Sequence, residues 1–411
     1  MFELKTGMAE KQNMTYQLSD RIQQMEESKT IRMAQKGREL KSQGKEVINL
    51  SVGEPDFQTP DHIKEAAIQA IRDGYTHYPP VGGYPELKEA IVKKFQDDNG
   101  LTYQPNEVMV SNGAKHCLIN ALLALVNPGD EVITPLPYWV SYPEMIKIAG
   151  GKMVNIDSDA SSDFKITPNQ LEAAITEKTR VLIFNSPSNP AGAVYTKDEI
   201  RQIAEVLKKY PKVFIISDEI YEYINFQGGH YTLASFDDLK KRTAVINGVS
   251  KCFAMTGWRI GYMAADAALI KSCEKLQGQF TSGPNSISQR AALAALEGGN
   301  KSALEMRDIF RQRRDLVAQE LQNIPGLNVS IPGGAFYFYP DIQSFLGKKF
   351  NGKPVNSPEE FCLTLLENTG LSLVPGDAFG DSQCVRISYA ASEDQLQKGM
   401  KALKAFIEKM E

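Results

Sequence analysis

The stretch that decides the fold runs from Val181-Leu-Ile-Phe-Asn-Ser-Pro-Ser-Asn-Pro190, through Lys197–Lys208, to Val213-Phe-Ile-Ile-Ser-Asp-Glu-Ile-Tyr221. Two short apolar runs, Val181–Phe184 and Val213–Ser217, flank a helical stretch, Lys197–Lys208. Runs that are apolar nearly throughout, rather than alternating, suit strands covered on both faces. Strand, helix and strand at this spacing read as a βαβ unit with parallel strands.

The alternation continues on both sides. Further strand-like runs are Val108–Val110, Glu131–Thr134 and Ala244–Asn247, and helices are expected over Lys115–Leu125, Glu144–Ala149 and Pro168–Ile175. The fold class is therefore α/β, with a mostly parallel sheet sandwiched by helices. Upstream, residues 28–43 read as a basic amphipathic helix ended by Gly44, and Val47–Leu50 as a short strand. His62–Arg72 reads as a helix opened by Pro60-Asp61 and closed by Asp73-Gly74. Beyond Gly298-Gly299 the character changes: a charged helix from Lys301 to about Leu321 leads to Pro332-Gly333-Gly334 and an aromatic strand, Ala335–Tyr339. The expected division is an N-terminal extension (1–17), a segment joining the small domain (18–55), a large domain (56–299) and a small α+β C-terminal domain (300–411). Met14 reads as an alternative start.

Composition narrows the function. Among 411 residues, 46 Lys and Arg face 50 Asp and Glu, and the net charge of −4 argues against a chain that coats nucleic acid or acidic lipid. With 42 % apolar residues the chain is neither disordered nor collagen-like as a whole. The five cysteines form no C-x-x-C pair, and four scattered histidines leave no zinc-ligand spacing. No metal is expected, and the thiols read as reduced and packed in a cytoplasmic protein. No run approaches the ~18 apolar residues that span a bilayer. Residues 1–14 lack the apolar core of a signal peptide.

In an open parallel sheet, ligands sit outside the carboxyl ends of the strands. Here those ends carry Ser111-Asn-Gly113, Pro137-Tyr-Trp139, Asn185 to Pro190, Asp218-Glu219 and Ser250-Lys251. A lone lysine after a strand is ordinarily a surface residue. In a closed pocket its ammonium form is disfavoured, which makes Lys251 a Schiff-base former or general base. Asp218 closes an apolar run, where a carboxylate is costly unless partnered. It suits a helix cap, a metal or a ligand cation; a protonated heteroaromatic nitrogen fits better than a metal, because no histidine stands near. Tyr221, three residues on, can face the same ligand. The turn Ser111-Asn-Gly113-Ala114-Lys115 joins a strand to a helix N-terminus and reads as a phosphate seat, with Arg259 as a second cation. Trp139 offers a flat face, although domain packing explains a lone tryptophan as well. Asn189 lies in a segment with two X-Pro bonds, where a cis peptide is tolerated. Arg386, inside the strand-like run Val385–Tyr389, suits a carboxylate clamp or a buried ion pair. Together these features describe one ligand, pyridoxal 5′-phosphate (PLP).

On these residues the chain resembles the class I, fold type I, PLP-dependent aminotransferases, and most closely the bacterial aspartate aminotransferases of the aspartate/prephenate subgroup. The likeness runs in order from about Leu18. It passes through Val52-Gly-Glu-Pro-Asp-Phe57, Tyr78, Asn112-Gly-Ala-Lys115, Pro137-Tyr-Trp-Val-Ser-Tyr-Pro143 and Ser188-Asn-Pro-Ala-Gly192. It continues through Ser217-Asp-Glu-Ile-Tyr221, Val249-Ser-Lys251, Met255-Thr-Gly-Trp-Arg-Ile-Gly-Tyr262, Pro375-Gly-Asp-Ala-Phe-Gly380 and Val385-Arg-Ile-Ser388. The resemblance implies that Lys251 holds PLP as a Schiff base, that Asp218 pairs with the ring nitrogen, and that Asn189 and Tyr221 touch the ring oxygen. It places Trp139 over the ring, and Gly113, Ala114 and Arg259 at the phosphate, with Lys115 counted in the same turn and Tyr78 donated by a neighbouring subunit. It puts Gly53, Trp139, Asn189 and Arg386 around the substrate α-carboxylate. A residue donated across subunits makes a homodimer the expected working unit.

The implied activity is ping-pong transfer of an amino group from an L-amino acid, aspartate first, to a 2-oxo acid, 2-oxoglutarate first. Many aspartate enzymes of this fold place an arginine for the distal carboxylate in a segment that here, Leu276–Gln289, contains no cation. Prephenate, aromatic and glutamate-family amino acids therefore stay open as substrates, and Lys115 is a candidate replacement cation. A same-fold lyase or synthase would use the same lysine and aspartate. A PLP-binding regulator would need a helix-turn-helix module ahead of Leu18, where too few residues are expected to hold one. A nicotinamide oxidoreductase is disfavoured because no G-x-G-x-x-G follows the early strands.

Overall fold

The βαβ pattern builds a sheet of seven strands in the computed structural model, which describes residues 16–25 and 29–411. Most of the expected extension, Met14 included, lies outside those residues. In chain order the strands are β1 (Val108–Ser111), β2 (Glu131–Pro135), β3 (Lys152–Ile156), β4 (Thr179–Asn185), β5 (Phe214–Asp218), β6 (Thr243–Gly248) and β7 (Gly261–Ala264). Their spatial order is β1-β7-β6-β5-β4-β2-β3. The pairs β3/β2, β2/β4, β4/β5 and β5/β6 are parallel, and β7 runs antiparallel between β6 and β1. The sheet is thus mixed but mostly parallel, and the fold is α/β with helices on both faces.

Local chemistry explains these elements. Val181, Leu182, Ile183 and Phe184 are each at most 2 % exposed, as a strand covered on both faces requires. The helix Lys197–Lys208 opens with a capping box: the Thr196 hydroxyl accepts from the Glu199 amide while the Glu199 carboxylate accepts from the Thr196 amide. Its buried residues, Ile200, Ile203, Ala204, Val206 and Leu207, repeat at helical spacing and press on the sheet. Two strands carry no clear sequence signal. β3 lies at the sheet edge with a mostly unburied pattern, and β7 is only Gly-Tyr-Met-Ala after a turn.

A second group of elements forms around a three-stranded antiparallel sheet, Val374–Pro375, Val385–Ser388 and Tyr337–Phe338. The aromatic strand is shorter than the expected Ala335–Tyr339 because Ala335 sits at φ +55°, outside extended geometry. The N-terminal helix Lys29–Ser42 and the strand Ile48–Asn49, paired in parallel with Leu371–Ser372, belong to this group. Met33, Leu40 and Leu50 share one core with Phe310, Phe361, Leu396 and Phe406. Among the described residues no helix is long and apolar enough to cross a membrane, and the five cysteines are buried free thiols.

Candidate active site

The carboxyl ends of β4, β5 and β6 converge. The β4/β5 register sets Asn185 beside Asp218, and the Asn185 amide donates to the Asp218 main-chain carbonyl at 2.8 Å. Its own oxygen accepts from the Asn189 amide at 2.9 Å, which pins the Pro-rich loop against the sheet. Both X-Pro bonds of that loop, Ser186-Pro187 and Asn189-Pro190, are cis. Lys251, Asp218, Tyr221, Asn189, Trp139 and Arg386 open into one cavity of about 820 Å³, with Gly53, Ala114, Lys115 and Arg259 on its walls.

Asp218 is 5 % exposed, and its carboxylate accepts from the Tyr142 hydroxyl at 2.7 Å. Burial pushes its pKa up to about 6, with the Tyr142 hydrogen bond acting in the opposite sense. A buried carboxylate facing a cavity with only neutral donors in contact is poised for a cation. Lys251 lines the same cavity and donates from Nζ to the Gly53 carbonyl at 2.5 Å. Burial, then the nearby Arg386 charge, brings the ammonium pKa down to about 8, so a substantial fraction is the nucleophilic free amine in mildly basic solution.

Arg386 is 3 % exposed. Its two terminal nitrogens donate to the Asn189 side-chain oxygen at 3.0 Å and the Ser51 carbonyl at 2.8 Å. Its guanidinium carbon lies 4.5 Å from the Tyr337 ring centre and 5.0 Å from that of Phe379. Nε is buried without a partner. These contacts fix the group and leave its charge unneutralised, which suits a small carboxylate.

At the other end, β1 stops at Ser111 and, after two intervening residues, the helix Ala114–Leu125 begins. Gly113 sits at φ +85°, and a Cβ there would lie 2.2 Å from an Arg259 guanidinium nitrogen. Arg259, itself left-handed at φ +58°, is tied to the Thr256 carbonyl at 2.9 Å and the Asn112 carbonyl at 3.2 Å. A Cβ on Gly261 would come within 2.1 Å of the Ala114 nitrogen. Two glycines thus let a helix N-terminus and an arginine share one cradle, the arrangement a phosphate needs. Gly261→Ala is expected to push this turn outward, costing about 1–3 kcal/mol of stability. It should also raise the Kd for PLP by roughly tenfold or more. Thermal unfolding and cofactor titration check both effects.

Together, the cradle, amine and carboxylate fit PLP, which carries a phosphate, an aldehyde and a basic ring nitrogen. Not every residue singled out in the sequence joins them. Tyr78 is 94 % exposed and does not line the cavity of its own chain. The Lys115 ammonium lies 4.9 Å from the Trp139 ring centre, and burial followed by Arg259 lowers its pKa. Sequence reasoning missed Tyr142 and Tyr337, and also Thr30, Arg38 and Lys41, by which the N-terminal helix walls the cavity. Tyr142 stands in a quoted motif, yet no spacing rule ties it to a residue 76 positions on.

Comparison with known proteins gives the same direction. Residues 45–403 match the family described as "Aminotransferase class I and II". The chain is 48 % identical over 392 residues to the aspartate/prephenate aminotransferase of Cereibacter sphaeroides, covering 95 % of this chain and 98 % of that one. A crystal structure of the aspartate aminotransferase from Rhizobium meliloti superposes with a TM-score of 0.93 at 45 % identity, covering 96 % of this chain and 100 % of that one. The Thermus thermophilus aspartate aminotransferase with maleate gives a TM-score of 0.89 at 38 % identity, over 95 % and 100 % of the two chains. A family match this long, on a site whose donors fit the cofactor, means that the chain belongs to the class I and II aminotransferases, which are PLP-dependent enzymes of fold type I.

Proposed function

We propose that the chain is an aspartate aminotransferase of the aspartate/prephenate subgroup, acting in the cytoplasm as a homodimer. In this reading it moves the amino group of L-aspartate to 2-oxoglutarate in two half-reactions. The observation that carries the reading is Arg386, a buried cation with an unpartnered Nε, facing the same cavity as the Lys251 amine and the Asp218 carboxylate. The names of relatives 45–48 % identical over nearly the full chain support aspartate as donor.

PLP, when bound, supplies an aldehyde for an amine and a protonated ring that accepts electrons from the substrate Cα. Lys251 would hold that aldehyde and would serve as the base for the Cα proton. Its lowered pKa suits both tasks. Asp218 keeps the ring nitrogen protonated. Tyr221 and Asn189 would hold the ring oxygen, and Trp139 would pack against the ring. Gly113, Ala114 and Arg259 form the phosphate end, with Lys115 in the same turn, joined by Tyr78 of the partner subunit. The exposure of Tyr78, and its place outside the lining of its own cavity, support that placement. Arg386, with Gly53, Trp139 and Asn189, takes the α-carboxylate. Lys115 is assigned to the distal carboxylate, supported by its position over Trp139. Buried free thiols without C-x-x-C spacing support a reducing compartment. The shared core of Met33 and Leu40 with Phe361 and Leu396 supports a small domain made of 18–55 and 300–411 beside a large domain of 56–299, with 1–17 as an extension.

The test is a single half-reaction. Mixing the holoenzyme with L-aspartate is expected to discharge its yellow band, and 2-oxoglutarate to restore it. A lyase would show no oxo-acid-dependent return. Silence with aspartate and response to another amino acid would keep the chemistry and change the donor.

A further inference from the structure

Tyr337 lines the cavity and has no task in that reading. The Tyr337 hydroxyl is 2.9 Å from the Tyr221 hydroxyl, and both rings are buried. Of two hydroxyls in contact, one donates and the other keeps its proton for a third group. Tyr337 comes from the short strand paired with the strand that carries Arg386, with Ser388 opposite Tyr337. Its ring is one of the two aromatic faces that hold the Arg386 guanidinium. Its hydroxyl faces the Gly53 turn, where a Cβ at residue 53 would lie only 3.0 Å from it. The Gly53 carbonyl in turn accepts from Lys251. Tyr337 therefore stands where the proposed ring-oxygen contact, the carboxylate clamp and the lysine meet.

We propose that Tyr337 is a positioning residue with two functions: its hydroxyl donates to Tyr221, so that the Tyr221 proton is free for the ligand's ring oxygen, and its ring holds Arg386 in place for the carboxylate. The direction of donation follows from the charges around the pair. Burial raises the pKa of both phenols and Arg386 lowers both, but the rise is the larger at Tyr221, where Tyr337 adds to it, and the guanidinium carbon lies 4.5 Å from the Tyr337 ring centre, so Tyr337 is the more acidic phenol and the donor. Asp218 acts on Tyr221 in the same sense as Tyr337, and the Lys251 ammonium lies 5.9 Å from the Tyr221 ring centre. None of these groups changes when only the Tyr337 hydroxyl is removed. A hydroxyl that accepts one hydrogen bond donates a stronger one, so Tyr337 strengthens Tyr221 as a donor.

The inference rests on the reading that Tyr221 meets the PLP ring oxygen, and its test separates the two. In the holoenzyme the yellow band titrates as a proton leaves the nitrogen linking lysine and cofactor. A donor to the ring oxygen favours the form without that proton, so a weaker donor raises the midpoint. Tyr337→Phe is expected to raise it by roughly half a pH unit, and Tyr221→Phe by about one unit or more. Because phenylalanine keeps the face under Arg386, Tyr337→Phe should bind maleate, a non-reacting dicarboxylate, within about twofold of the parent, whereas Tyr337→Leu should lose at least about fivefold. A shift with Tyr221→Phe and none with Tyr337→Phe overturns the hydroxyl function alone. Unchanged maleate binding in Tyr337→Leu overturns the ring function. No shift in either phenylalanine variant removes the Tyr221 assignment, and this inference with it.

Discussion

Lys251→Ala is expected to slow the aspartate half-reaction by roughly 10⁴-fold or more while PLP remains bound. The side chain holds two tasks in one atom. Nζ is 2.5 Å from the Gly53 carbonyl, in the cavity that Asp218 also lines, and burial has already brought its pKa to about 8. Alanine removes the nucleophile that holds the aldehyde and the base that takes the Cα proton, and the charged groups that act on Lys251 (Arg386, Glu54, Arg259 and Asp218) bring no amine in its place. The guanidinium groups of Arg386 and Arg259 offer no lone pair to accept a proton or to attack an aldehyde. Tyr221 is driven further from ionisation by burial. The phosphate cradle stands on other residues: Gly113 and Gly261 give it room, and Arg259 is fixed by main-chain carbonyls of Thr256 and Asn112. Binding should therefore outlast chemistry. Stopped-flow absorbance measures the half-reaction, and equilibrium dialysis with PLP measures retention. A near-normal rate in the variant would sink the assignment, and loss of PLP alongside activity would mean that the cradle depends on the lysine.

What could be read from the sequence, and what could not, divides by physical cause. Strands β4 and β5 are legible because a strand covered on both faces must be apolar along its length, and Val181–Phe184 and Ile215–Ile216 are. β3 is not, because an edge strand with exposed positions has no such constraint. Asp218 stands out because a carboxylate closing an apolar run carries a desolvation cost that some partner must offset. Its protein partner, Tyr142, is invisible, since the approach of two residues 76 positions apart is made by the packing of a helix on the sheet. The Tyr337 hydroxyl is hidden in the same way: within an aromatic run it reads as core, and only the fold sets it against Tyr221, 116 positions away. Tyr78 is the opposite case. Its place in the site comes from resemblance alone, because a lone chain leaves it in solvent.

Asp218→Asn is expected to have opposite effects on catalysis and on the stability of the cofactor-free protein. Asparagine keeps the shape and can still accept from the Tyr142 hydroxyl, but it removes the charge that would hold a proton on the ring nitrogen. Loss of one preorganised electrostatic partner predicts a fall in turnover of at least ~10²-fold. Without cofactor the same charge is a burden. Burial raises the Asp218 pKa from 3.8 to about 6, so the folded protein binds the proton more tightly than the unfolded chain does. Stability from this group is complete below about pH 4 and is lost as the pH rises through 6. At neutral pH the ionised carboxylate costs about 3 kcal/mol, because a tenfold difference in proton affinity between folded and unfolded chain is worth about 1.4 kcal/mol. Cofactor-free Asp218→Asn should thus outlast the parent in urea at pH 7, and the advantage should vanish toward pH 4. A protonated ring nitrogen reverses the balance, because it pulls the Asp218 pKa back down and turns that burden into binding energy for the cofactor. Turnover within threefold of the parent would place the partner of the ring nitrogen elsewhere. A stability difference that ignores pH would mean that Asp218 binds its proton equally well in the folded and the unfolded chain, so that burial does not raise its pKa, and the electrostatic account of the site would fall with it.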